Sequence, residues 1–187
     1  MYFLQSNQKK LLTNLNPAFL TLFVLFLVLF KTTAEVVVPS VFTGWDLLLP
    51  VVIYLGQRRA MWEGLLIVLF NGHLYSLNSS APIGLFVVYY LGFFFLAQMV
   101  AYILYAQTPI SVIWLLFIST LLARILLPLF SQGFEQSIDV FSWANWNLWN
   151  IILNTVFGFF TYLFLGFLDR LTLKVPPRNI TLGDSAL

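Results

Sequence analysis

Hydrophobic positions in this chain run in long blocks, with neither the alternation of a half-buried strand nor the narrow stripe of a soluble amphipathic helix. A helix needs about 20 apolar residues to cross the hydrocarbon core of a bilayer. The blocks predict spans at 13–30, 36–55, 61–77, 82–106, 109–130 and 148–169. The second is the least regular. Its "VVVPSVFTGWDLLLPVVIYLG" holds Pro39, Gly44, Asp46 and Pro50, which predicts a kinked or partly re-entrant segment. Irregular backbone at membrane depth needs protein or water around it, so this segment is expected inside the bundle. The pattern divides the chain into a cytoplasmic N-terminus (1–12), one six-span domain (13–169) and a cytoplasmic tail (170–187). It shows no soluble domain, repeat or low-complexity tract.

Composition makes the membrane reading firm. Hydrophobic residues are 60% of the chain and charged residues 9%, with a mean hydropathy of +0.91. Soluble domains carry roughly 25% charged residues, so this chain lacks the polar surface to cover itself in water. The 20 phenylalanines and 6 tryptophans suit a face that meets lipid. Lys9 and Lys10 precede "LTLFVLFLVLF", and no small-residue cleavage site follows, so this run is expected to be a retained first span. The chain has no cysteine, which excludes disulfides, thiolate metal sites and cysteine nucleophiles.

Charge sets the expected orientation. With both ends cytoplasmic, the inner side carries Lys9, Lys10, Arg58, Arg59, Arg170, Lys174 and Arg178, and the outer side only Lys31. The segment 131–147, "SQGFEQSIDVFSWANWN", then forms the longest external stretch. Trp143, Trp146 and Trp149 read as an interfacial belt, with a surface-lying amphipathic helix as the alternative. A net charge of +2 without clustering gives no nucleic-acid footprint.

Ionisable groups in spans are costly, so each one is a candidate for a role. Glu63 follows Arg59 by four residues, and an interfacial i,i+4 pair accounts for it. Arg124 lies six residues before the end of its span, about 9 Å. Two readings stand for it: snorkelling to the outer surface, or pairing with Asp46 or with a partner's acidic group. His73 is the sole histidine. It has no Cys, Asp or Glu nearby, which makes a metal site or hydrolase a poor fit and a packed, hydrogen-bonded histidine the better one. The chain has no G-x-S-x-G turn, phosphate loop, H-E-x-x-H or carboxylate pair. No enzymatic activity, metal or cofactor is expected.

One polar strip stands out, "NGHLYSLNSSAPIG" at 71–84. Gly72 and Ser76 form a small-xxx-small pair that lets helix backbones approach. Ser79, Ser80, Pro82 and Gly84 supply a compact turn, with serine capping and proline opening the next helix.

This strip resembles the best-marked segment of the MreD family, the small multispan rod-shape-determining proteins of bacteria. Gly72 takes the family's glycine position, Ser79, Ser80 and Ala81 its small triplet, and Pro82, Ile83 and Gly84 its ending. Ser76 stands where aspartate is usual, and Asn78 where an apolar residue is common. The preceding "DLLLPVVIYLGQRR" is similar to the family's second span and basic turn, and the likeness extends over about residues 45 to 170. It implies a non-catalytic scaffold of the cell-elongation complex in the bacterial cytoplasmic membrane. Such a scaffold would bind the single-span MreC and act through it with MreB, RodA and RodA's transpeptidase partner in lateral peptidoglycan synthesis. It also implies the fold of energy-coupling-factor substrate-binding subunits, which the family is thought to share. A vitamin transporter subunit of that kind is the alternative function, although Ala18 alone replaces the alanine pair expected in its first span. A proton- or solute-coupled transporter would need charges at midplane. On the family reading, Asp46, His73 and Arg124 are candidate buried polar or partner contacts.

Overall fold

The computed structural model describes residues 2–37, 45–79, 82–104, 109–132 and 148–174. Helices make up nearly all of it: α1 (Tyr2–Val37), α2 (Leu49–Arg58), α3 (Met61–Leu77), α4 (Leu85–Leu104), α5 (Pro109–Gln132) and α6 (Leu148–Leu171). Among the described residues, four stretches are long and apolar enough to cross a membrane: Leu11–Ala34, Leu85–Tyr102, Ile110–Phe130 and Trp149–Leu171. The protein is therefore a helical membrane protein.

The expected second span, 36–55, is not one helix. Val36 and Val37 end α1, and α2 begins only at Leu49. Ten residues rise about 15 Å, half of the hydrocarbon thickness. Every α2 residue from Leu49 to Gln57 is buried. That burial comes from protein, since α2 packs against α3, α4, α5 and α6. Pro39, Gly44 and, from the 131–147 segment, residues 133–147 with Trp143 and Trp146 lie outside the described residues.

Helix direction alternates, so α1 and α6 meet near the two ends of the chain. Asn16 of α1 donates to Asp169 of α6 at 2.9 Å. At the opposite end Lys31 of α1 reaches the Tyr75 hydroxyl of α3. Only 28% of the apolar stretch of α1 is buried, against 39–44% for the other three, so α1 is the most lightly held.

Glycines set the closest approaches. A methyl at Gly72 would lie 3.0 Å from the Val87 Cα and 3.3 Å from the Phe86 carbonyl oxygen. At Gly92 it would meet only Phe130, at 3.9 Å. Gly72→Ala must push α3 off the α4 backbone and is expected to lower stability by about 1–3 kcal/mol. Gly92→Ala is expected to be neutral or stabilising by up to about 1 kcal/mol, since alanine is the better helix former. Thermal unfolding of the detergent-solubilised variants compares the two.

Candidate functional site

Two polar clusters sit at the ends of α2, separated by thirteen residues from Asp46 to Arg59, or about 20 Å if wholly helical. The first belongs to the helix N-terminus, whose backbone N–H groups have no partner within the helix. Asp46 Oδ1 accepts from the Leu48 and Leu49 N–H groups at 3.2 and 3.1 Å. This is the capping geometry of an aspartate, and its charge also complements the positive end of the helix dipole. Pro50 costs nothing here, because an N–H in the first turn has no helical partner.

The remaining lone pairs of Asp46 are taken by α4. Tyr90 donates to Oδ1 and Tyr89 to Oδ2, each at 2.9 Å. Asn154 of α6 accepts the Asp46 N–H at 3.3 Å. Arg124 of α5 is buried, near Tyr89 and close enough to Asp46 for the carboxylate charge to act on it. A packed aromatic group links this cluster to α1 and α3: Tyr75 and Tyr90 centroids lie 6.1 Å apart, and the Lys31 ammonium lies over the Tyr75 ring at 4.7 Å. The structure thus brings Asp46 and Arg124 into one neighbourhood with Lys31 and three tyrosines.

His73 is placed elsewhere. It is exposed on the outside of α3, while its neighbours Asn71 and Gly72 are buried. The expectation of a packed, hydrogen-bonded histidine is corrected by helix phase: the α3–α4 contact fixes Gly72 inward and turns His73 outward. Ser76 is 2% exposed, and its hydroxyl makes no hydrogen bond. Where it is described, the 78–84 turn differs from the expected serine cap and proline opening: α4 begins at Leu85, three residues past Pro82. Ser79 Oγ donates to the Ser76 carbonyl at 3.2 Å. The Leu85 N–H bonds to the Pro82 carbonyl at 3.1 Å. Gly84 has φ 97, a left-handed conformation that side chains resist. Ser80 lies outside the described residues.

The second cluster closes the C-terminal end of α2, and sequence reasoning largely missed it. Arg59 is 1% exposed. Its Nη2 donates to Asp169 and, at 2.7 Å, to Asn16 Oδ1. Tyr54 of α2 donates to Asp169 Oδ2 at 2.5 Å, and Asn16 Nδ2 donates to Thr172 Oγ1 at 2.5 Å. Three segments of chain, α1, α2 and α6, therefore converge on one carboxylate–guanidinium pair. Arg58, next to it, donates from Nε to the Tyr162 hydroxyl at 3.2 Å. The expected Arg59–Glu63 pair is present only loosely, at 4.0 Å, while Lys174 holds Glu63 at 2.8 Å. Asp169 and Asn16 carried a usable signal, since polar groups inside apolar blocks need partners.

Chemically, both clusters join helices. Among the described residues no group of three or more His, Asp or Glu side chains could hold a metal ion. No family model, curated protein or solved structure matches the chain.

Proposed function

We propose that this helical membrane protein is a non-catalytic scaffold of MreD type, binding an MreC-like single-span partner in the bacterial cytoplasmic membrane. Through that partner it would support lateral peptidoglycan synthesis and cell shape. The observation that carries the reading is the use of charge: the acidic and basic groups at both ends of α2 are committed to joining helices. Such a bundle is braced at both ends and presents an apolar exterior, as a binding scaffold requires. The likeness of 71–84 to the family strip supports the same reading.

In this reading α1, α4, α5 and α6 cross the bilayer, α3 crosses beside α4, and α2 completes a sixth, interior pass. Both termini face the cytoplasm, in accord with the gathering of Arg58, Arg59, Arg170 and Lys174 at one end. The arrangement would be that of energy-coupling-factor substrate-binding subunits.

The test is purification of the tagged chain from detergent-solubilised bacterial membranes. Co-elution of a bitopic coiled-coil protein is the expected result. Elution alone, with a vitamin-like small molecule retained, would overturn the scaffold and favour the transporter subunit. The aromatic, charged surroundings of Asp46 are the feature that lends itself to that second reading.

A further inference from the structure

The Arg59 cluster contains a competition that no simple brace would need. The guanidinium is buried, yet only Nη2 is hydrogen-bonded; Nε and Nη1 make no hydrogen bond. An unmade hydrogen bond on a buried charged donor is costly. Facing the open edge is the Glu63 carboxylate, with Oε1 4.0 Å from Nη1 and just beyond hydrogen-bond reach. Glu63 stays there beside the Lys174 ammonium, at 2.8 Å. Two carboxylates, Asp169 and Glu63, thus flank one guanidinium, and a lysine holds one of them back.

Lys174 is itself set by the end of α6. The Lys174 N–H bonds to the Asp169 carbonyl at 2.9 Å and the Leu173 N–H to the Arg170 carbonyl at 3.2 Å. This is a Schellman cap, which ordinarily places glycine at the left-handed position. Here that position is Leu173, with φ 55. A leucine there is held against a conformational preference of roughly 1–2 kcal/mol, so the cap opens more readily than a glycine cap. Its side-chain ties are also partly wet: the Lys174 and Glu63 side chains are 21% and 26% exposed, against 1% for Arg59.

We propose that Lys174 is an electrostatic latch on the docking of α1. With the ammonium in place, Glu63 Oε1 is held in an ion pair, though without a hydrogen bond, and Arg59 belongs to Asp169 and Asn16. When the ammonium is drawn off, Glu63 turns to the open edge of Arg59, and the guanidinium swings toward it. Nη2 then leaves Asn16, which removes one of the three side-chain hydrogen bonds tying the lightly packed α1 to this cluster through Asn16. The device converts an event at the exposed end of α6 into loosening of α1, and it operates whichever partner the protein serves.

The chain has no cysteine, so one introduced thiol reports on α1 alone. Leu20 is fully buried on the α1 face, one turn beyond Asn16. In the full-length Leu20→Cys background, Lys174→Met is expected to raise the maleimide labelling rate about five-fold, the size of a surface ion pair acting on local opening. Adding Glu63→Gln to Lys174→Met is expected to return the rate to the starting value, because the carboxylate that would draw Arg59 away from Asp169 and Asn16 is gone. Lys174→Arg is expected to leave it unchanged. An unchanged rate in Lys174→Met overturns the latch. So does a double variant that labels as fast as Lys174→Met, since a brace that merely lost one strut would not be rescued by losing another.

Discussion

Replacing Asp169 with alanine is expected to destabilise the protein by about 3–5 kcal/mol, the cost of stranding one member of a buried ion pair. The deletion leaves the Arg59 guanidinium, 1% exposed, without its carboxylate. It also frees the Tyr54 hydroxyl and half of the Asn16 amide in the same dry space. Thermal unfolding in detergent reads the effect as a large fall in Tm. Two companion variants separate charge from packing. Asp169→Asn keeps an acceptor for Tyr54 and Arg59 and should lose less. Arg59→Met combined with Asp169→Ala should cost less than the sum of the single changes, because neither charge is left buried alone. Simple additivity of the two would show that the pair does not act as a unit.

The second large effect belongs to Asp46. Alanine there removes the cap of α2 and leaves two tyrosine hydroxyls of α4 without an acceptor. A lost cap costs about 1 kcal/mol, and each stranded buried hydroxyl adds about 1–3 kcal/mol. Together these come to about 3–7 kcal/mol before relaxation, again measured by thermal unfolding. Asparagine retains one side-chain oxygen in the capping position, so Asp46→Asn should recover roughly the capping share. Tyr89→Phe and Tyr90→Phe should each be mild, since they remove a donor while leaving the carboxylate capped. If Asp46→Ala melts with the unchanged protein, α2 is held by apolar packing alone.

Both effects arise because α2 is short, central and dry. An exposed helix end is solvated by water, whereas this one must find protein partners for its end groups. The side chains that supply them come from different parts of the chain: Asp46 from just before the helix, Tyr89 and Tyr90 from α4, Asn16 from α1, and Asp169 from α6. This explains why the clusters were unequally visible beforehand. Asp46 stands out as an acid in an apolar, proline-rich stretch. Asp169 hides at the end of an apolar block, beside an arginine that looks like an ordinary interfacial charge.

Hydrophobic patterning alone determined that this is a helical membrane protein, where its long apolar helices lie, and that the 36–55 stretch is irregular. Those features follow from local composition and period, which any stretch of chain carries by itself. It also marked Gly72 and the turn at Pro82–Gly84, where a close approach or a left-handed φ restricts the residue type. Only tertiary structure decided that the irregular stretch resolves into a ten-residue buried helix with a polar lock at each end. It alone turned His73 outward and joined Arg59 to Asp169 across 110 residues. Helix phase and long-range partners depend on how the apolar faces pack together, and in lipid every helix face is apolar enough that the sequence leaves that choice open.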